Sequence, residues 1–161
     1  MNLEPFSLRP ELVWGLVPRV VGLLYLLLFA SLAPQMAGLI GSRGLAPVAP
    51  RLARYATDYP GLRRFFVRPT LLWLNQSDRW IRVLPWLGIL ATLIVIHGGQ
   101  ASPAALFACW VIALALDECR LLYPWDSFLF EAGFLALFLP ATRALPSLEA
   151  AQPVIASVAF M

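Results

Sequence analysis

The stretch VVGLLYLLLFASLA, residues 20–33, decides the fold class. It carries no charge, and the uncharged run around it extends over residues 20–40. A membrane-spanning helix needs about 20 mostly apolar residues to cross about 30 Å of hydrocarbon. This run has that length. Pro34 is expected to end the regular helix, or to kink it near the far interface. A secretory signal peptide is the rival reading, because Arg19 precedes the run and small residues follow it. The preceding arm, however, is long and holds Glu4 and Glu11, and further apolar runs follow. A retained first helix is therefore expected.

The composition agrees. The 161 residues are 60% hydrophobic and 13% charged, with a mean hydropathy of +0.76. Soluble domains run about 45–50% apolar and about 25% charged. An ordinary soluble domain is excluded, and so is disorder, which needs low hydropathy. The 14 prolines and 10 glycines follow no fixed period, so collagen and linker readings fail as well. All 12 basic residues are Arg, and the net charge of +3 is concentrated in one stretch. Such a pattern suits a membrane surface and not nucleic acid.

The next uncharged run, residues 83–116, is too long for one helix and is broken by HGGQASP, residues 97–103. Two helices joined by a tight turn are predicted, over 78–96 and 102–122. Ser102 and Pro103 read as an N-cap followed by the N1 proline. Tyr123 and Pro124 close the third span. A fourth is predicted from Asp126 to 139 or 142, short enough to be tilted or to cross half the membrane. A fifth begins near Gln152 and the sequence stops at Met161 within it. Ten residues of helix cover only about 15 Å, so a fragment of a longer protein is expected. The predicted fold is an all-α polytopic transmembrane bundle of about four full spans plus a partial fifth. An N-terminal arm (1–19) precedes the transmembrane domain (20–161), which contains an Arg/Pro-rich interfacial loop at 41–77. Gly22, Gly88 and Gly133 are candidates for close helix contacts.

The loop holds Arg43, Arg51, Arg54, Arg63, Arg64 and Arg68. Leu62, Phe65 and Phe66 fall at helical spacing among the last three. Such a segment either lies flat in the headgroup layer or packs as a plain surface helix. Counting Arg by side puts the loop in the cytoplasm under the positive-inside rule.

Candidate chemistry is sparse. His97 is the one histidine, and beside Gly98 and Gly99 it reads as part of a helix C-terminus. A lone histidine does not make a zinc site. Cys109 and Cys119 lie ten residues apart on one helix, about 15 Å, whereas a disulfide needs less than about 7 Å. No GxSxG, HExxH, Walker or GxGxxG pattern occurs. No catalytic residue, metal or cofactor is therefore assigned. The expected polar centre comprises Glu118, Arg120, Trp125, Asp126 and Glu131. Asp117 and Glu118 oppose the dipole of a helix C-terminus. Asp126 reads as the N-cap of the fourth helix. Glu131 lies inside FLFEAGFLALFL, residues 128–139, where a carboxylate is costly unless paired or wetted. Arg120 is its nearest basic neighbour in sequence. Two roles stay open for the pair: a structural ion pair between helices, or a ligand or catalytic group.

Three stretches taken together resemble the lipase maturation factor family. They are LIGSRGLAPV (39–48), PTLLWLNQSD (69–78) and WDSFLFEAGFLALFLP (125–140). The resemblance implies a multi-pass membrane protein that, in animals, sits in the endoplasmic reticulum and helps dimeric secreted lipases reach their active fold. The implied partners are the lipid bilayer and a secreted lipase or other client protein. The all-Arg, Ala- and Leu-rich composition looks bacterial, which points to a plasma membrane here. Family members are several times longer, and their large soluble C-terminal domain is not in this sequence. The family topology puts the first loop in the lumen, against the Arg count. The motif loop comprises Gly41, Arg43, Gly44, Asn75 and Asp78. Gly41 and Gly44 suggest a tight turn at the membrane edge, and either Asn75 or Asp78 is placed to cap the second helix. Trp73, Trp80 and Trp86 fit an interfacial belt. Two other functions remain. A membrane enzyme, distantly similar to vitamin K-dependent carboxylase-like domains, would need Glu131 and Asp126, with or without His97, to converge on one pocket. The other is a small membrane subunit.

Overall fold

The computed structural model describes residues 10–117 and 124–139, with side chains for 15–117 and 128–139. Every regular element among them is helical. The order is α1 (Pro10–Leu32), α2 (Met36–Ile40), α3 (Val48–Asp58), α4 (Arg63–Val67), a 3-10 turn (Leu71–Trp73), α5 (Asp78–His97), α6 (Ser102–Leu116) and α7 (Pro124–Ala136).

Two helices are long and apolar enough to cross a membrane: α1, through Gly15–Leu32, and α5. At 1.5 Å per residue α5 reaches about 30 Å, whereas α6 reaches about 22 Å and α7 about 20 Å. Among the described residues, two of the about four expected full spans have membrane-crossing length, and α6 and α7 are shorter apolar helices. The expected fifth lies outside the described residues. The first helix also differs from its sequence reading. It begins at Pro10, inside the segment read as an arm, and ends at Leu32. Pro34 sits in a turn at 33–35, and the apolar run resumes as the short α2. Pro lacks the N–H that a continuing helix would use. The α5 prediction holds to within a residue at its end. Ser102 is the first residue of α6 and not its cap.

α1 and α5 pack antiparallel. A Cβ on Gly22 would lie 3.0 Å from the Val95 side chain, and one on Gly88 would lie 2.6 Å from the Phe29 ring. Glycine at these two positions lets the backbones approach, as small residues do between membrane helices. Tyr25 and Phe29 stack at 6.0 Å between ring centroids, and both are fully buried. α6 also packs against α5, with Cys109 Sγ 4.0 Å from the Gly88 carbonyl. Cys109 is fully buried and free.

Two ends follow from this pairing. At one, Arg19 donates from Nε to the Ile96 carbonyl (3.2 Å) and from a terminal nitrogen to Gly15 (2.6 Å). His97 closes α5 there, exposed, followed by Gly98 at φ 85°. At the other end lie α2, the loop at 41–77 and the start of α5. Thr70 ties that loop to the end of α6 by donating to the Ala115 carbonyl (3.2 Å).

Candidate functional site: a loop clasp, a mid-depth helix seat and an arginine cavity

Residues 41–46 reverse the chain over the end of α2. The Leu45 N–H donates to the Gly38 carbonyl at 2.9 Å, and the Ala46 N–H to Leu39 at 2.8 Å. These bonds satisfy carbonyls that a helix terminus leaves open. Gly41 and Gly44 are needed for closeness, not for positive φ. Gly41 is extended, with φ −61° and ψ 171°. A Cβ there would collide with the Ala37 carbonyl, and one on Gly44 would lie 2.7 Å from the Leu39 oxygen.

Asp78 meets this turn from 36 residues away. Its carboxylate accepts from the Ser42 backbone N–H and from the Ser42 hydroxyl, both at 2.7 Å. The charges of Arg82 and Arg43 act on the same carboxylate. The first two family-like stretches therefore meet in one clasp. The N-cap of α5 is neither Asn75 nor Asp78. Ser77 holds that position, accepting from the Trp80 N–H at 3.3 Å. Asn75 accepts from the Ser77 N–H at 2.9 Å and shapes the approach. Asp78 is thereby free to reach across.

The third stretch forms α7, seated between α1 and α6. Tyr25 donates its hydroxyl to the Leu129 carbonyl (3.3 Å), and Trp110 donates its indole N–H to the Phe130 carbonyl (3.1 Å). Gly133 faces Tyr25, where any Cβ would collide with the phenol oxygen. Tyr25 and Trp110 lie near the middles of α1 and α6, so residues 129–133 of α7 sit level with the middles of those helices. Glu131 is at that level and points outward. It is exposed, in a stripe with Phe128 and Leu135, and it makes no ion pair or hydrogen bond among the described residues. Arg120 and Glu118 lie outside the described residues. Trp125 and Asp126 belong to the first turn of α7, and their side chains lie outside the description as well. His97 is at the Arg19 end, so the structure does not bring it to Glu131.

The interfacial loop builds a third feature. Val48 and Leu52 bury one face of α3. α4 has no buried residue, and Leu62 and Phe66 are 74% and 86% exposed. Arg68 donates to the Tyr55 hydroxyl at 2.9 Å and lies over its ring. The Trp73 indole donates to the Arg68 carbonyl at 2.8 Å, so Trp73 faces the protein. Trp86 faces outward at 62% exposure. Arg64 lies over the rings of Phe65 and Trp73 and lines a cavity of about 300 Å³.

Sequence reasoning missed Ser42, Tyr25, Trp110 and Arg64 as site-forming groups. Tyr25 carried a signal, being the one hydroxyl-bearing ring in the first apolar run. Among the described residues no group of His, Cys, Asp and Glu could hold a metal ion.

An all-helical domain with apolar helices of membrane-spanning length, closed by a Ser–Asp clasp at one end, is the class these features define. The family model for the lipase maturation factor transmembrane domain matches residues 13–161, and the chain belongs to that family. It is 28% identical to lipase maturation factor 1 of Bos taurus over 93% of this chain and 29% of that protein. Against lipase maturation factor 2 it is 32% identical in Gallus gallus, over 74% of this chain and 18% of the relative. In Xenopus tropicalis the figures are 29%, 85% and 20%. The chain thus spans less than a third of the length of these relatives. No solved structure matches it.

Proposed function

We propose that this chain is the membrane-embedded part of a maturation factor that helps a secreted lipase reach its active fold. The observation that carries the proposal is the family match over residues 13–161. In this reading α1 and α5 are full spans, and α6 and α7 are shorter, tilted spans of a multi-pass domain. The all-Arg, Ala- and Leu-rich composition favours a bacterial plasma membrane.

Glu131 is the working group of the proposed polar centre, whose other members, Glu118, Arg120, Trp125 and Asp126, precede it in the sequence. A charged side chain at the centre of a membrane helix costs about 2.5–3.5 kcal/mol on insertion scales. A cost of that size is sustained when the carboxylate meets a donor. The outward face of α7 offers it to a membrane segment of the client or of the rest of the machinery. The enzyme reading calls for Glu131 and Asp126 in one pocket and gains most if His97 joins them. The exposed His97 at the far end of α5 counts against it.

The test is co-expression with a secreted lipase, reading lipase activity per mass of lipase. The chain raises specific activity, and Glu131→Leu removes the gain without lowering the amount of chain in the membrane. Equal specific activity with and without the chain sinks the maturation role.

A further inference from the structure

We propose that Arg64 holds the phosphate of an anionic phospholipid headgroup in the cavity between α3 and the 3-10 turn. The cavity exists because α3 presents small residues, Ala49, Ala53 and Ala56, toward Arg64, Trp73 and Gln76. The Arg64 guanidinium is held in place by two rings, 4.9 Å from the Phe65 centroid and 5.3 Å from that of Trp73. Its Nε is buried and has no hydrogen-bond partner among the described residues. A guanidinium is always charged and has five donors, and a buried donor without an acceptor is costly. Its planar fork matches phosphate oxygens. Arg68, four residues on, shows the satisfied alternative in its bond to Tyr55.

The position selects a lipid over a soluble phosphate. The cavity lies at the end of the bundle where α1 finishes and α5 starts, the level of the headgroups. Leu62, Phe66 and Leu74, in the same segment, are each more than 70% exposed. Apolar side chains of that size next to basic ones fit an interface between headgroups and acyl chains. Arg54 and Arg63, both exposed, add attraction for an anionic leaflet. The proposal rests on the membrane reading and is independent of the maturation role, because its test uses no client.

The experiment is native mass spectrometry of the purified chain in maltoside micelles, titrated with phosphatidylglycerol or with diacylglycerol, which lacks the phosphate. Phosphatidylglycerol is expected to bind at least about tenfold more tightly than diacylglycerol, and Arg64→Gln to weaken it about tenfold. Arg63→Gln, at an exposed position, changes it little. Ala56→Phe, which fills the cavity and leaves Arg64 in place, gives the same loss as Arg64→Gln and guards against a misfolded Arg64 variant. Equal retention of the two lipids, or wild-type binding by both Arg64→Gln and Ala56→Phe, overturns the proposal. Displacement of the lipid by inorganic phosphate at equal concentration assigns the cavity to a soluble phosphate and overturns it too.

Discussion

Gly88→Ala tests the packing that orders the whole bundle. The added Cβ would lie 2.6 Å from one Phe29 ring carbon and 2.7 Å from two others. That is about 0.8 Å short of ordinary 3.4 Å contact. Phe29 has little room to retreat, because it is fully buried and stacked on Tyr25. Overpacking of this kind costs about 1–3 kcal/mol. The substitution also recovers up to about 1 kcal/mol of helix propensity. Gly38→Ala supplies the control, since a Cβ on Gly38 meets nothing within 4 Å. The difference in stability between the two variants therefore isolates the steric cost, about 1–3 kcal/mol against Gly88→Ala. The assay is unfolding from maltoside micelles by added denaturing detergent, followed by tryptophan fluorescence. Phe29→Leu completes a double-mutant cycle. It shortens the side chain that meets the new methyl, so the pair should recover more than about 1 kcal/mol relative to the sum of the singles. Additivity within about 0.5 kcal/mol would refute the reasoning, because it would mean that Phe29 does not sit on Gly88.

Three further outcomes are expected. Tyr25→Phe removes the hydrogen bond to the Leu129 carbonyl while keeping the ring, and should lower stability in the same assay by about 1 kcal/mol; no change would mean that α7 is seated by packing alone. Trp110→Phe should expose the Phe130 amide region to faster hydrogen exchange, whereas the α1–α5 contact keeps its protection. Asp78→Ala opens the clasp on both Ser42 donors, and Ser42→Ala removes one of them. Limited proteolysis within 41–46 should therefore rank Asp78→Ala fastest, Ser42→Ala next and the wild type slowest, and equal rates would show that the turn holds without Asp78.

The helices of membrane-crossing length were legible because hydrocarbon imposes one demand on the backbone, internal hydrogen bonding over a fixed length. An uncharged run of the right length marked α1, and a longer one broken by HGGQASP marked α5, α6 and the turn between them. Gly22, Gly88 and Gly133 were legible as contact points, since in a membrane small residues serve close approach. The motif loop was legible as a set of residues but not as a geometry. Asn75 and Asp78 both had the chemistry of a cap, and local sequence could not show that Ser77 would take that role. Gly41 and Gly44 suggested a turn conformation, whereas carbonyls of α2 lying beneath them are what excludes a Cβ.

The sequence by itself determined that the chain is helical, that it holds membrane-length apolar segments, and that one carboxylate is placed among apolar residues. These are properties of composition and period, which every residue reports locally. The tertiary structure alone decided which groups meet. It joined Ser42 to Asp78 across 36 residues and Tyr25 to Leu129 across 104. It turned Glu131 outward and left the Arg64 Nε facing no acceptor among the described residues. Such pairings depend on helix rotation and axial offset, set by how side chains such as Phe29 fit against glycines on a neighbouring helix, and that fit is written in no single segment.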